Sequence, residues 1–368
     1  MQLFFDYFIN KIMKKLFVIF GGSSCEHDIS IITGMQLCKN LETKYSVEKI
    51  YLGLDNNFYL ATKVQDISYF ADKNIKLKQI IISDGAIYIK NLVLKKYCDV
   101  DCIINCCHGG VGENGDLAGF FAVNKIRTTS ACSLSSHIAM DKYLTKRLVS
   151  DIVPVVKGEL VTIDNYLEKK KSIKKDYKNI IVKPNSLGSS IGVKVCDKKN
   201  FTEQIMAIFT MNDDALVEEC ITNKIEYNQA CYKKDNELML SEIESPITKS
   251  EYLSFEDKYF HEGKSKRKDR VIPAKMSADL KSEINFYTAK IYNALKLDGV
   301  VRIDYIYDLD AKILYFNEVN TVPGSMAYYL FEPLGIDYIT LVEDLVDNAP
   351  SVKKYSYFDS GILRKKLL

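Results

Sequence analysis

The chain has 368 residues, enough for two or three domains, and its 47% hydrophobic and 27% charged content is ordinary for a globular protein. A net charge of +2 gives no general reason to expect nucleic acid or an anionic membrane as partner. No apolar run approaches the about 20 residues that span a bilayer, and the ten cysteines lie without regular spacing, which fits unpaired thiols in a reducing cytosol.

The first residues are apolar but lack a basic leading region, so they do not read as a secretory signal. Met13 offers an alternative start, in which case residues 1–12 lie outside the fold. Leu16–Phe20 reads as a buried strand, followed by Gly21-Gly22-Ser23-Ser24 and a helical pattern to about Leu41. Strand, glycine turn and helix together open an α/β domain, with a binding site expected at the strand's carboxyl end. Glu26, at the loop exit, suits either a solvated acid favouring the helix dipole or a counter-ion for an ammonium group.

Val47–Leu52 is a second strand, residues 58–97 mix short strands with polar turns, and Val100–Cys107 is a third clear buried strand. Cys102, Cys106, Cys107 and His108 raise the question of zinc. Adjacent residues on a strand point to opposite faces, however, so Cys106 and Cys107 read as buried free thiols. The strand runs into His108-Gly109-Gly110-Val111-Gly112-Glu113-Asn114-Gly115, whose four glycines let the backbone approach a ligand closely. His108 at the strand end is a candidate site residue, and Asp116 is expected to cap the next helix.

A boundary is expected at Thr128–Ser130, then a helix over 135–150 containing Asp141 and Lys142. The lysine run at 169–175 reads as a solvated surface segment. Strand Asn179–Lys183 leads into Pro184-Asn185-Ser186-Leu187-Gly188-Ser189-Ser190-Ile191-Gly192, a loop whose N–H groups and hydroxyls can cradle phosphate while Lys183 adds charge. It lacks the spacing and following helix of a P-loop. Ala215–Glu219 is a strand carrying Glu218 and Glu219, with Cys220-Ile221 after it; it suits a nucleotide's base and ribose, or no ligand at all. Phe255–Pro273 is polar, basic and aperiodic, the composition of a functional lid over 260–270. Its basic cluster comes without the aromatic pattern of a nucleic-acid binder. An amphipathic helix follows from Ser277 to Leu297.

The most informative stretch is Val301–Gly324, which reads as a β-hairpin of Val301–Tyr307 and Ile313–Val319. Pairing Asp308 with Leu314 sets Asp304 opposite Glu318 and Arg302 opposite Asn320, and puts Phe316, Glu318 and Asn320 on one face. Two facing carboxylates resist ionising together, and a divalent cation removes the conflict. Asp, Glu and Asn offer hard oxygens, which suit Mg²⁺ shared with substrate phosphates. Arg302 can stabilise charge on a transferring phosphoryl group, and Gly324 can bring its N–H close to a ligand. An ordinary hairpin with charged cross-strand pairs is the alternative.

The order of these pieces resembles the D-alanine–D-alanine ligases of the ATP-grasp superfamily. The matching segments are GGSSCEHDIS, CHGGVGENGDLAG, MDK, IVKPNSLGSSIGV, EDKY, RIDY and NEVNTVPG, spanning Gly21–Gly324. The resemblance implies α/β and α+β architecture: an N-terminal doubly wound parallel-sheet unit over 1–130, then a two-lobed ATP-grasp fold over 131–217 and 218–368. It implies ATP-dependent joining of two D-alanines through an acyl phosphate, for peptidoglycan precursors, by a cytoplasmic homodimer. Lys142, Lys183, Ser190, Glu218, Glu219, Ile221 and Glu226 would line the nucleotide pocket. Asp304, Glu318 and Asn320 would hold two Mg²⁺, with Mn²⁺ as a substitute. Glu26, Ser189 and Tyr259 would form a hydrogen-bonded set closing over the reactants, with Glu26 and His108 near the first substrate's ammonium. Lys258 would reach the transferred phosphate, and Arg302 with the Gly324 N–H would form the oxyanion site. Tyr329 and Leu330 stand where the family has a Ser-Leu pair binding the second substrate's carboxylate. That departure leaves D-serine as the alternative to D-alanine as second substrate. Phe255 and Leu187 also depart, at positions where a tyrosine and an acid are common.

Overall fold

The computed structural model describes residues 14–71, 76–247, 270–353 and 359. Lys258 and Tyr259, and all of the expected lid but Arg270, lie outside the described residues.

The first sheet has eight strands: β1 Lys15–Gly21, β2 Ser46–Leu52, β3 Phe58–Leu60, β4 Lys78–Ser83, β5 Ala86–Ile89, β6 Lys95–Asp99, β7 Cys102–Asn105 and β8 Arg127–Thr128, in the order β6-β5-β4-β3-β2-β1-β7-β8. The β2-β1-β7-β8 part is parallel, and β3–β6 extend it with antiparallel hairpins. Its helices are α1 His27–Leu41, α2 Gly110–Glu113 and α3 Asp116–Val123. β1 is apolar at every inner position because both faces are covered. Leu16, Val18 and Phe20 enter one core, Phe17 and Ile19 another. The strand expected over Val100–Cys107 is shorter, β7 Cys102–Asn105, but Cys106 and Cys107 just beyond it still divide between these same two cores, and both thiols are free. The Asp116 cap expectation fails by one residue. Gly115, at φ 101°, takes the N-cap position and Asp116 is the first helical residue; a left-handed entry suits glycine.

The second sheet is antiparallel: β9 Gly158–Val161, β10 Ile180–Pro184, β11 Lys194–Cys196 and β12 Ala215–Glu219, ordered β11-β10-β12-β9. The single helix expected over 135–150 is two, α4 Ser133–Met140 and α5 Lys142–Val149. Asp141 breaks it by taking an extended backbone (ψ 99°) and accepting the Leu144 N–H at 2.8 Å as the cap of α5. The lysine run lies on α6 Tyr166–Asp176, where only Ile173 is buried, and α7 Phe201–Thr210 completes this unit.

The third sheet comprises β13 Lys224–Lys234, β14 Glu237–Pro246, β15 Arg270–Val271, β16 Val301–Asp308 and β17 Ile313–Asn320, ordered β15-β14-β13-β16-β17 and antiparallel. α8 Ala278–Ala294 is capped by the Ser277 hydroxyl, and with α4 it covers one face. α9 Tyr338–Asp347 returns to the first sheet: Leu341, Val342 and Leu345 share a core with Val18 and Phe20, and Ala230 and Tyr232 of β13 join it.

The β16–β17 hairpin holds Asp304 opposite Glu318 and Arg302 opposite Asn320, as expected. Its loop end differs, since Asp308 pairs with Ile313, not Leu314. A bulge between Asp304 and Tyr305 on one strand, at Asn317 on the other, restores the register at the site. It also turns Phe316 to the opposite face from Glu318. Phe316 pairs with Tyr305 and is fully buried in the core, which corrects the expectation that Phe316, Glu318 and Asn320 share a face.

Candidate active site

Cross-strand partners share a face, so Glu244 (β14), Asn228 (β13), Asp304 (β16) and Glu318 (β17) form one row across the third sheet. The Arg302 guanidinium grips Asp304 with two bonds of 2.7 Å, and the Asn320 amide adds a third at 3.1 Å. Burial pushes the Asp304 carboxyl up against the pull of Arg302, and Glu318 and Glu244 push the same way. Among the described residues no three His, Cys, Asp or Glu side chains gather into a metal cage. Two carboxylates and an amide fit Mg²⁺ nonetheless, because that ion usually takes one or two protein carboxylates and fills its shell with phosphate and water. The Arg302 bonds leave room, since each carboxylate oxygen accepts more than once.

Above this row three loops converge. Glu26 is buried at the start of α1 and accepts a hydrogen bond from the Ser189 hydroxyl, 163 positions away in the chain. Its carboxylate is wedged between glycines: a Cβ at Gly109 or Gly188 would stand 2.7 Å from Glu26 Oε2. Thus two of the three members of the expected closing set meet. His108 is buried; its Nδ1 donates to the Val322 carbonyl (2.7 Å), so its Nε2 accepts from the Thr33 hydroxyl (3.0 Å). Burial lowers its pKa, which favours this neutral ring. Ser189 and Ser190 adopt φ of 53° and 58° in succession, and such left-handed residues turn neighbouring N–H groups into a concavity suited to anions.

The expected nucleotide residues divide. Lys142 Nζ donates to the Leu187 carbonyl of the phosphate-loop candidate at 2.6 Å and lies 3.8 Å from Glu318. Lys183 Nζ pairs with Glu218 at 2.6 Å and reaches the bulge residue Asn317 at 3.3 Å, which ties the second sheet to the hairpin. Glu218 also pairs with Lys146, a residue that no sequence motif singled out. Burial opposes ionisation of Glu218, yet the two lysines hold its carboxyl below the ordinary range. Burial lowers Lys146 to about 8. Glu219, Ile221 and Glu226 are half-buried at the end of β12 and the start of β13, and Glu226 pairs with Lys224 at 2.7 Å.

Past the hairpin, Gly324 has open space where a Cβ would be. Leu330 is fully buried in the core shared by the first and third sheets, so its side chain does not face a ligand. Tyr329 is half-buried between Glu244 and Arg270. Its hydroxyl donates to Glu244 at 3.1 Å, and the Arg270 guanidinium lies 4.6 Å from its ring centroid. A phenol has one proton to give, and here it goes to Glu244. Glu113, like Glu244 and Asn228, was not singled out from the sequence. It accepts the Gly109, Thr321 and Val322 N–H groups. The only local signal was its place within the glycine-rich loop.

Family models described as D-ala D-ala ligase N-terminus and D-ala D-ala ligase C-terminus match residues 15–131 and 149–347. A D-alanine–D-alanine ligase of Thermosipho melanesiensis is 32% identical over 365 residues, covering 96% of this chain and 99% of that protein. Among solved structures, the D-alanine–D-alanine ligase of Helicobacter pylori is similar with a TM-score of 0.77 at 28% identity, over 93% of this chain and 100% of the other. The VanG D-Ala:D-Ser ligase of Enterococcus faecalis gives 0.77 at 25% identity, over 91% and 99%.

Proposed function

Because this chain belongs to the D-alanine–D-alanine ligase family along nearly its whole length, we propose that the row Asp304, Glu318, Asn320 with Arg302 is the centre of its reaction. The enzyme is an ADP-forming ligase that makes D-alanyl-D-alanine for peptidoglycan synthesis, through an acyl phosphate. The observation that carries the site is the bulged register, which sets two carboxylates face to face beside an arginine held in the same plane of bonds.

Each residue then has a physical task. Glu26, held by Ser189, is the buried charge that would receive the ammonium of the first D-alanine. His108 stays neutral and fixes the Val322 carbonyl. Lys142 and Lys183, with Ser190 and the loop N–H groups, would bind the phosphates of ATP, while Glu219, Ile221 and Glu226 line the base and ribose. Arg302 and the Gly324 N–H would receive the oxyanion as the second amine displaces phosphate. Two Mg²⁺, or Mn²⁺, held by Asp304, Glu318 and Asn320, would neutralise charge on the transferring phosphoryl group. Lys258 and Tyr259 are assigned to the phosphate and to the Glu26–Ser189 set by the family motif EDKY. We further read units at 1–130, 131–217 and 218–368, and a homodimer acting in the cytoplasm; among the described residues no helix is long and apolar enough to cross a membrane.

The test is ADP release coupled to dipeptide detection, with D-alanine alone and with D-alanine plus D-serine. D-Alanyl-D-alanine is expected as the main product. A preference for D-alanyl-D-serine would move the second substrate, and ATP binding without ADP release for any D-amino acid would remove the enzymatic reading.

A further inference from the structure

Glu113 is a half-buried carboxylate for which the ligase chemistry has no evident use. Its carboxylate nonetheless accepts three backbone N–H groups beside the site. One oxygen accepts the N–H groups of Thr321 and Val322, both at 3.1 Å, and the other accepts the Gly109 N–H at 2.9 Å. The Thr321 hydroxyl adds a long bond of 3.5 Å to the Glu113 carbonyl. The peptide units after Asn320 are therefore gripped from both sides: their N–H groups by Glu113, and the Val322 carbonyl by His108 at 2.7 Å.

The next residues of the chain give the grip a physical reason. After Pro323 and Gly324 come Ser325, Met326 and Ala327, with φ of 49°, 53° and 51° and ψ of 31°, 23° and 23°. This is a left-handed turn of three residues that all carry a Cβ, a conformation that is costly for L-residues. Such a turn persists only where its surroundings over-determine it. Downstream the pin is apolar, since Met326 and Ala327 are buried in the core with Leu330 and Phe331. Upstream the segment is held by its bonds to Glu113 and His108. Between the two pins lies Gly324, and immediately before the upstream pin lies Asn320.

We propose that Glu113 is a positioning residue for the ligase reaction, fixing the places of Asn320 and of the Gly324 N–H through the Thr321 and Val322 amides. It touches neither substrate nor metal in this role. The inference rests on the ligase reading. A carboxylate is needed because both oxygens face donors: an amide would turn its NH₂ group against an N–H on one side or the other. An apolar side chain would leave three N–H groups without acceptors.

The experiment compares wild type, Glu113→Gln and Glu113→Asp in steady-state ADP release, with amide hydrogen exchange of the wild-type 320–324 segment as a measurement free of any variant. A displacement near 1 Å at a reacting group costs about a hundredfold, so E113Q is expected to lose kcat by about that factor with the KM for ATP unchanged. E113D, which keeps two accepting oxygens, should recover part of the loss. A purely structural residue would instead lower the yield of folded protein and leave kcat per folded molecule unchanged, which would overturn the proposal. So would a rise in the KM for ATP that accounts for the whole defect. If E113Q does not fold, the exchange data decide. Thr321 and Val322 amides exchanging as slowly as those of β16 support the clamp, and exchange at the rate of an exposed loop refutes it. Failure of the wild type to release ADP with D-alanine would refute the ligase reading instead, and is thereby distinguished.

Discussion

Tyr329→Phe removes one hydroxyl, and the structure says where the loss falls. Glu244 is only 2% exposed. Its Oε1 accepts from Tyr329 at 3.1 Å and from Asn228 at 3.0 Å, while Oε2 has the Arg270 guanidinium at the longer distance of 3.4 Å. Water has no ready path to replace the lost donor. A hydrogen bond to a charged group contributes about 1.5–3 kcal/mol, so Y329F should be less stable by about that amount in denaturant titration. Arg270 would keep a ring to lie on, since Phe preserves the face. Because the one phenolic proton already belongs to Glu244, the KM for the second amino acid, measured at saturating ATP with D-alanine and with D-serine, should not move. The opposite result would refute this reasoning: stability unchanged and KM raised tenfold, equivalent to about 1.4 kcal/mol, would put the hydroxyl on the substrate's carboxylate.

Glu318→Gln keeps the shape of the row but removes one charge; turnover should fall steeply with a normal circular-dichroism spectrum, and near-wild-type ADP release at low Mg²⁺ would count against the metal assignment. Lys146→Met keeps volume but leaves the buried Glu218 with Lys183 as its remaining lysine partner. Breaking a buried pair typically costs about 3–5 kcal/mol, and a loss under about 1 kcal/mol in urea would show that Lys146 does not hold Glu218. Glu113 gives a pH signature, because burial and the nearby Glu26 raise its carboxyl from 4.5 to about 7. An acid raised on folding binds more protons in the native state between those values. Its stabilising contribution is therefore complete below pH 4.5 and lost as pH rises through 7. The stability difference between wild type and E113Q should fall across that window, and a flat difference would contradict the raised value.

The hairpin shows how much was legible. The pairing of Asp304 with Glu318 follows from two strands of alternating character, and it survives even though the loop closes one residue away from the expected pair. The bulge at Asn317 absorbs that residue, and nothing local announces it, for Asn317 is not a glycine and its partner Lys183 lies 134 positions away. Phe316 was misassigned for the same reason. The break at Asp141 was hidden because helical residues continue on both sides of it. Lys146 and Glu113 were overlooked because their partners are supplied by distant strands and turns. Glu26 and His108, by contrast, lie in or beside glycine-containing loops that follow strands, and that placement is local enough to be read from the chain.

The return of α9 to the first sheet has a consequence for biosynthesis. One face of β1 is covered partly by α1, through Ile31, Met35 and Leu37, and partly by Leu341, Val342, Leu345, Ala230, Tyr232, Met326 and Phe331 from the far half of the chain. A ribosome therefore releases the first sheet with α1 long before the remainder of the core around Val18 and Phe20 exists. Sequence-distant pairings of this kind fold slowly, and uncovered apolar faces invite association meanwhile. A fragment ending near residue 131 should bind a hydrophobic dye or a chaperone, and added in trans the remainder of the chain should release it.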